Sequence, residues 1–351
     1  MLGFNRTYTT PFSDSIPASV EDFFRHVPLY KRFKRFLGRY LYAEVVLRNS
    51  QKVKQISNEH QKILWVQWVD SYLGDSLMDL SGRVLIKDKK IDLLTKPSVA
   101  SIYQNDPIFH HIFTQPEACD GDYDLLMISS YRQRELSIVK NRFGNLPHVS
   151  LYGYYNVDDF NRLYFSFYRL NQLTGGQYNQ QQIASTAKPL LPITKQDQTI
   201  VEDYHLPENF IVIAIGGANP ERTFNHWDQV VDRLLEEKIT KYIVLVGSNN
   251  AQGMSALIAK MHPNQVVNRV EQCSFNQSAQ IIKKSRLLVC ADGGLLHAAN
   301  AVQTPVVALF YYIDPMVRLI QANPSQALLD KENINHIKID DIIKRIRLLS
   351  C

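Results

Sequence analysis

One stretch near the end of the chain constrains the fold most strongly, because it joins two apolar runs through a glycine-rich turn. Residues 287–290 are apolar, residues 291–301 read Ala-Asp-Gly-Gly-Leu-Leu-His-Ala-Ala-Asn-Ala, and residues 305–310 are apolar again. A strand, a tight turn, a small-residue helix and a second strand form a β-α-β unit with parallel strands. The glycines and the helix amino terminus favour a bound anion. A plain strand-to-helix turn capped by Asp292 is an alternative at this point.

Two more apolar runs in the same half of the chain end in small polar loops. The first, residues 210–215, is followed by Gly216-Gly217-Ala218-Asn219-Pro220-Glu221-Arg222 and then by a predicted helix over 227–237. The second, residues 242–246, is followed by Gly247-Ser248. Ligands bind at the carboxyl edge of open α/β sheets, so these loops are predicted to share one binding edge. The sequence contains neither a G-x-G-x-x-G nor a G-x-x-x-x-G-K-[ST] motif.

The order and spacing of these three loops resemble the donor-binding domain of bacterial heptosyltransferases, the family-nine glycosyltransferases of lipopolysaccharide core synthesis. That family carries an Asp-Ser/Thr-Gly-x-x-His run before a small-residue helix and a strand that starts with proline. Here the run extends from Asp292 to His297, and the strand starts at Pro305. Gly217-Ala218 matches the family's Gly-Ala loop, and Gly247-Ser248 matches its Gly-Ser turn.

The first half of the chain carries a weaker part of the same resemblance. The strand-like residues 63–68 lead to Gly74-Asp75, and the family has a Gly-Asp pair at the first strand-to-helix turn of its N-terminal domain. Residues 90–95 and 122–128 are similar to later strands of that domain. The resemblance covers roughly residues 60–345. It implies an α/β fold of the GT-B type, in which two Rossmann-like doubly wound domains face each other across a cleft.

The length of 351 residues is sufficient for two domains. We expect a basic amphipathic extension over 1–60, an acceptor-binding domain over 61–184, a linker over 185–208 and a donor-binding domain over 209–351. The predicted linker is polar and contains the prolines at positions 189, 192 and 207.

The sequence departs from the family pattern at three places in the donor-binding half. Gly293 stands where the family has a hydroxyl residue, which removes one side-chain donor to a phosphate. Arg222 stands in place of the usual lysine, and its guanidinium can pair with a phosphate through two hydrogen bonds. The acidic residue that holds the ribose is absent, and Asn249, Asn250 or Gln252 could replace it with neutral hydrogen bonds. The identity of the donor therefore stays open.

The resemblance implies transfer of heptose from ADP-heptose to the Kdo-lipid A inner core of lipopolysaccharide, with inversion and without a metal ion or other cofactor. The partners would be a nucleotide-sugar donor and a lipid-linked saccharide acceptor. Asp75 is the candidate base for the acceptor hydroxyl. It could instead only cap a helix that is predicted to begin near Ser76. Arg132 and Arg134 follow a predicted strand and are either ligands of an anionic acceptor or solvated surface side chains.

Positive groups at the donor site are needed to stabilise the departing diphosphate. The candidates are Arg222 and the residues of the three loops: Gly217, Ala218, Gly247, Ser248, Asp292, Gly293 and Gly294. His297 could bond a phosphate, position Asp292 or serve only as a packing residue of its helix. Transfer of a different nucleotide sugar, and binding of a nucleotide sugar without catalysis, are alternative functions. An epimerase would need a different cluster of acids, which we do not find in the sequence.

The region over residues 27–41 is basic and amphipathic. Most lysines and arginines fall away from one side of a predicted helix, and that side carries Leu29, Phe33, Phe36, Leu37, Tyr40 and Leu41. Such a helix can lie on an anionic membrane surface. It can also pack on the N-terminal domain with its basic face in water, and both alternatives stay open.

The remaining composition excludes several classes of protein. The four cysteines are scattered without a C-x-x-C pair, which argues against a zinc site or a disulfide framework. The sequence has no signal-peptide pattern and no apolar run of transmembrane length. A net charge of +5 would suit nucleic acid, but no nucleic-acid-binding signature occurs. We expect a cytoplasmic protein, peripheral on the cytoplasmic face of the inner membrane if the basic helix binds lipid.

Overall fold

Two parallel β-sheets, one in each half of the chain, organise the structure. The computed structural model describes residues 28–46, 51–68, 72–153, 161–217 and 219–350. The chain divides into two units, Met1–Ala187 and Lys188–Cys351, which we call the N-terminal and the C-terminal domain. Each domain is built around one sheet.

Within the described residues, the N-terminal domain contains five parallel strands and six α-helices. The strands are β1 (Lys62–Gln67), β2 (Lys90–Thr95), β3 (Phe109–Phe113), β4 (Leu125–Ile128) and β5 (His148–Ser150). They lie in the order β3-β2-β1-β4-β5. The helices are α1 (Leu29–Val46), α2 (Leu73–Leu80), α3 (Pro97–Tyr103), α4 (Gln133–Phe143), α5 (Arg162–Leu173) and α6 (Gln180–Thr186).

The described part of the C-terminal domain contains six parallel strands and six α-helices. The strands are β6 (Phe210–Ile215), β7 (Tyr242–Gly247), β8 (Val266–Asn268), β9 (Leu287–Ala291), β10 (Val306–Tyr311) and β11 (Ser325–Asp330). They lie in the order β11-β10-β9-β6-β7-β8, which is the Rossmann order. The helices are α7 (Lys195–Glu202), α8 (Trp227–Glu236), α9 (Gln252–Met261), α10 (Phe275–Lys284), α11 (Gly294–Val302) and α12 (Ile339–Ser350).

The central strand β6 is apolar throughout because helices cover both faces of the C-terminal sheet. In β6, Ile211 and Ile213 pack in a cluster with residues of α8 and α12. Val212, between them, packs on the other face with residues of α10 and α11. A strand that is buried on both faces has a continuous apolar sequence rather than an alternating one, as the runs in this chain do. The predicted α/β architecture with two parallel sheets is confirmed.

Two element boundaries in the N-terminal domain differ from the prediction. The helix expected to begin near Ser76 begins at Leu73, directly after the extended backbone of Tyr72. The strand expected to begin at residue 122 begins at Leu125. The preceding Asp124 instead accepts hydrogen bonds from the backbone amides of Gln61 and Lys62 with its carboxylate, which fixes the start of β1.

The region predicted as a linker, residues 185–208, contains the helix α7. Thr194 and Asp197 form a reciprocal capping box at its amino terminus. Val201 is buried with the apolar cluster of the C-terminal domain. This segment therefore packs as part of that domain over the length of α7.

None of the helices in the described residues is both long enough and apolar enough to cross a bilayer.

The end of β7 approaches β6 too closely to accommodate a side chain. Gly247 has a φ of 153°, and a Cβ atom there would overlap the carbonyl oxygen of Ile215. We expect Gly247→Ala to push the two strands apart and to lower the free energy of unfolding by about 1–3 kcal/mol. Chemical denaturation measures this change.

Gly253→Ala in α9 is the matched control, because a Cβ atom there meets nothing within 4 Å. We expect it to leave the stability unchanged or to raise it by about 0.5–1 kcal/mol. Equal stability of the two variants would contradict the close approach of β7 to β6.

Candidate functional sites at the strand reversals

The strand order of each sheet reverses once, and the loops at this reversal form the candidate sites. The reversal lies between β1 and β4 in the N-terminal domain and between β6 and β9 in the C-terminal domain. Two loops that follow such neighbouring strands diverge to opposite faces and leave a crevice at the carboxyl edge of the sheet. Arg222 follows β6 and Asp292 follows β9, so these predicted donor residues meet at the reversal.

Asp292 is the centre of the site in the C-terminal domain. Its side chain is only 5% exposed, and its Oδ2 lies 3.3 Å from Nη1 of Arg222. Its Oδ1 lies 3.7 Å from Nε of Arg318, a residue that the sequence analysis missed. Arg318 follows β10, and its place after an apolar strand was the available signal. Two guanidinium groups beside one carboxylate leave an excess of positive charge, which suits an anionic ligand.

The loops after β6 and β7 are tied together by Asn250. Its Nδ2 donates a hydrogen bond of 2.5 Å to the carbonyl of Gly217, and Ser248 Oγ donates one of 2.9 Å to its Oδ1. Gly216 has a φ of 94° and lies so close that a Cβ atom would be 2.6 Å from Asn250 Oδ1. The Asn250 amide is therefore engaged with the protein itself. Ala218 lies outside the described residues.

The amino terminus of α11 lies directly after Asp292. Gly294 is the first residue of the helix, and Gly293 before it has a φ of −178°, an extended backbone that any residue adopts. A Cβ atom on Gly293 would meet only the carbonyl oxygen of Ala291, at 3.9 Å. Neither backbone nor packing therefore requires glycine at this position. His297, further along α11, is 3% exposed, so little of its ring is accessible to a ligand.

Asp75 lies in the first turn of α2, on the carboxyl side of β1. The position before the helix is occupied by Tyr72, and no side-chain hydrogen bond caps the helix. The alternative in which Asp75 caps it is therefore wrong. Instead, Oδ2 of Asp75 lies 2.9 Å from Nη1 of Arg162, and the Asp75 side chain is 24% exposed.

Arg162 and Asp79 form a buried ion pair beside Asp75, which the sequence analysis missed. Arg162 Nε donates a hydrogen bond of 2.8 Å to Asp79 Oδ1, and Nη2 donates to Oδ2. The hydroxyl of Tyr152 also donates to Asp79. The sequence offered one signal for this pair, because carboxylates four residues apart share one face of a helix.

Glu135 joins the two loops at the reversal of the N-terminal sheet. Its buried carboxylate accepts hydrogen bonds from the backbone amide of Trp68 after β1, at 3.2 Å, and from that of Ser130 after β4, at 2.7 Å. Burial raises the pKa of Glu135 to about 7, although these hydrogen bonds act in the opposite direction. The role of Glu135 was not predicted from the sequence, because an acidic residue in the first turn of a helix is already accounted for by the helix dipole.

The two predicted acceptor arginines are close to the start of α4, after β4. Arg132 directly precedes the helix and is partly exposed, and Arg134 is exposed in its first turn. They follow the carboxyl end of β4, and Asp75 follows that of the adjacent β1. Throughout the part of the chain that the structure describes, no group of three or more His, Cys, Asp or Glu side chains is arranged to hold a metal ion.

Three solved structures with a similar fold carry the names of glycosyltransferases. A glycosyl transferase family 9 protein from Veillonella parvula is 14% identical, with a TM-score of 0.71 over 85% of this chain and 99% of that one. E. coli ADP-heptose lps heptosyltransferase II is 16% identical, with a TM-score of 0.64 over 82% and 98%. E. coli heptosyltransferase WaaC with ADP is 15% identical, with a TM-score of 0.59 over 82% and 97%. No curated protein matches this chain by sequence. The predicted GT-B fold class is confirmed.

The chain belongs to glycosyltransferase family 9, the heptosyltransferase family. The sequence profile of that family matches residues 146–345, which is more than half of the chain. The protein is therefore an enzyme of the glycosyltransferase class, and the resemblance seen in the sequence is confirmed. The matched region contains the whole candidate site of the C-terminal domain and also Arg162.

Burial of the Glu135 carboxyl should make the stability of the folded protein depend on pH in a specific way. Its pKa is raised from an ordinary value of 4.5 to about 7 in the folded protein. In this window the folded state holds the proton more tightly than the unfolded state, so the stability that Glu135 contributes falls as the pH rises from 4.5 to 7. We expect Glu135→Gln to remove this fall. The difference in melting temperature, wild type minus variant, should be larger at pH 5 than at pH 8.

Glu117→Gln is the control, because Glu117 is an exposed carboxyl in the same domain. A difference for Glu135→Gln that stays constant across this range, or grows with pH, would contradict the role of burial.

Proposed function

We propose that this family member transfers heptose from ADP-heptose to the Kdo-lipid A inner core of lipopolysaccharide, with inversion and without a metal ion or other cofactor. The observation that carries the proposal is the cluster of Asp292, Arg222 and Arg318 at the strand reversal of the C-terminal sheet. Doubly wound sheets bind nucleotides at this place. One similar structure is a heptosyltransferase with ADP, and another is an ADP-heptose lps heptosyltransferase, which supports this donor and acceptor.

The charges of the cluster suit the departing diphosphate. The side chain of Arg222 is 34% exposed, so its guanidinium can pair with a phosphate while Asp292 orients it. Arg318 is only 10% exposed and balances the Asp292 charge from the other side. The amides of Gly293-Gly294 at the amino terminus of α11 add partial positive charge. These groups would stabilise the diphosphate as the glycosidic bond breaks.

The other predicted donor residues form the surroundings of this cluster. We assign Gly217, Ala218, Gly247 and Ser248 to the loops that approach the nucleotide. His297 is buried and is assigned to packing behind the Asp292 loop rather than to a direct phosphate contact.

The N-terminal domain supplies the acceptor groups in this proposal. Asp75 accepts the proton of the attacking acceptor hydroxyl, because it is a partly exposed carboxylate on the carboxyl side of β1. Arg132 and Arg134 bind anionic groups of the acceptor from the adjacent strand end.

A different nucleotide sugar is the second candidate donor, and two observations favour it. Gly293 provides no hydroxyl at the position where the family has one. The Asn250 amide, one of the candidate replacements for the acidic ribose ligand, is engaged with Gly217.

Nucleotide selectivity and turnover test the proposal together. A ligand that binds only the folded state raises the melting temperature. We expect ADP and ADP-heptose to raise it, and UDP, GDP and CMP to have no effect. Arg222→Gln should raise the ADP concentration needed for the same increase in melting temperature by roughly ten- to a hundredfold, because a charged hydrogen bond to a phosphate is lost. Arg286→Gln is the matched control, since Arg286 precedes β9 at the opposite edge of the same sheet.

Turnover distinguishes catalysis from binding alone. With ADP-heptose and Kdo-lipid A, wild type should release ADP, and Asp75→Asn should lower kcat by about 10²–10⁴ while ADP still raises its melting temperature. Stabilisation by UDP or GDP but not by ADP would indicate that the donor carries that nucleotide instead of ADP. Binding of ADP-heptose without turnover would indicate that the protein binds the nucleotide sugar but does not catalyse its transfer.

We further propose that α1 docks the enzyme on the anionic cytoplasmic face of the inner membrane, where a lipid-linked acceptor resides. Leu29, Phe33, Leu37 and Leu41 are spaced by four residues and are all exposed, which makes an apolar stripe along the helix. Ala43 on another side is buried, and α1 packs against α4. The stripe keeps between 37% and 58% of each side chain exposed, which leaves apolar surface for a lipid interface.

The charges beside the stripe suit an anionic surface. Lys31 and Lys34 are exposed. Each lysine near an anionic surface contributes about 1 kcal/mol to binding, and the apolar stripe adds burial in the lipid interface.

Co-flotation with vesicles tests this docking. We expect the protein to float with vesicles of phosphatidylcholine and phosphatidylglycerol, and to float less with phosphatidylcholine alone. The double variant Lys31→Glu, Lys34→Glu should weaken binding to the anionic vesicles at least tenfold, by about 1 kcal/mol for each charge removed. Phe33→Ser with Leu37→Ser should weaken it as well. Leu257→Ser on α9, an equally exposed leucine, is the control. Unchanged flotation of both double variants would refute the docking.

A further inference from the structure

Arg162 connects two carboxylates that lie on successive turns of α2. Its Nε and Nη2 atoms hold Asp79 in a two-point contact, and its Nη1 atom lies 2.9 Å from Oδ2 of Asp75. Arg162 is the first residue of α5, so its backbone position is fixed by a different helix from the one that carries the carboxylates.

The guanidinium of Arg162 has little freedom to move. The side chains of Arg162 and Asp79 are 2% and 1% exposed. Asp79 is held in turn by the hydroxyl of Tyr152 and, at 3.4 Å, by Nε2 of Gln67 at the end of β1. Asp79 neutralises the buried guanidinium, as a charge in the interior requires. Asp75 is thus a second carboxylate, and it is the partly exposed member of the group.

We propose that Arg162, oriented by Asp79, is the positioning residue for the Asp75 carboxylate. It holds Oδ2 and thereby presents Oδ1 to the acceptor hydroxyl. This inference rests on the proposed role of Asp75 as the base. The planar fork of arginine is essential to it, because a lysine ammonium cannot hold both carboxylates in fixed directions.

The expected size of the effect follows from the geometry of proton transfer. A general base has to approach the hydroxyl to about 2.6–3.2 Å. A displacement of about 1 Å in such an arrangement costs on the order of a hundredfold in rate. Loss of the Arg162 contact should therefore appear in kcat rather than in the affinity for the donor, whose candidate site lies in the other domain.

The same domain contains a second buried ion pair, which contacts no candidate catalytic carboxylate and therefore serves as a matched control. Arg83 and Asp106 form a salt bridge with side chains that are 1% and 2% exposed. Arg83 also donates a hydrogen bond of 3.0 Å to the carbonyl of Leu80. Arg83→Lys therefore reports the cost of weakening a buried ion pair in this domain.

The experiment compares kcat, KM for ADP-heptose and melting temperature for Arg162→Lys and Arg83→Lys. We expect both to melt earlier than wild type. Arg162→Lys should lower kcat by roughly ten- to a hundredfold with KM for ADP-heptose unchanged, and Arg83→Lys should keep the kcat of wild type. In an Asp75→Asn background, Arg162→Lys should cause no further loss of kcat, because its effect acts through Asp75.

Wild-type kcat in folded Arg162→Lys, or losses that multiply in the double variant, would overturn the proposal. If Arg162→Lys does not fold, Tyr152→Phe is the test, since it removes the hydroxyl that bonds to Asp79 and also contacts Arg162, and it retains the ring that stacks on Phe165. A kcat reduced at least about two- to fivefold, and only when Asp75 is present, is expected from the loss of the Tyr152 hydroxyl. An unchanged kcat would count against positioning.

The failure of the proposed function gives a different result. Absence of turnover in wild type would contradict the proposed reaction. Full turnover in Asp75→Asn would contradict the role of Asp75 as the base, whatever the result for Arg162→Lys. Loss of turnover in Asp75→Asn together with full turnover in Arg162→Lys removes only the positioning role.

Discussion

The single reversal of strand order in each parallel sheet is the constraint on which both candidate sites depend. Crossovers between parallel strands are right-handed, so a sheet that grows in two directions from a central strand places successive helices on opposite faces. The loops at the reversal then diverge and leave their strand ends accessible. In the N-terminal domain Glu135 joins these loops, and in the C-terminal domain Arg222 and Asp292 meet there.

The two candidate sites carry excess charge of opposite sign at the edges of their sheets. In the N-terminal domain one guanidinium, that of Arg162, contacts the carboxylates of Asp75 and Asp79, which leaves an excess of negative charge. In the C-terminal domain the carboxylate of Asp292 lies between two guanidinium groups, which leaves an excess of positive charge. Under the proposed function, the first arrangement suits acceptance of a proton and the second suits a departing diphosphate.

Local sequence patterns predicted the parts of this structure that local forces determine. Apolar runs located the central strands, because burial on both faces leaves little choice of residue. The loop from Asp292 to His297 was recognisable because its small residues are contiguous. The distant partners of the site residues were not recognisable from local patterns. Arg162 is 83 residues from Asp79 along the chain, and Arg222 is 70 residues from Asp292. The buried role of Glu135 depends on two amides that only the folded sheet brings together.

Gly293 has a consequence for how this enzyme family can diverge. Its backbone is extended, and the space around its Cα is open. Replacement of this glycine by serine or threonine is therefore expected to leave the stability of the fold unchanged. Folding therefore does not decide the residue at this position, and under the proposed function its side chain can change with the donor.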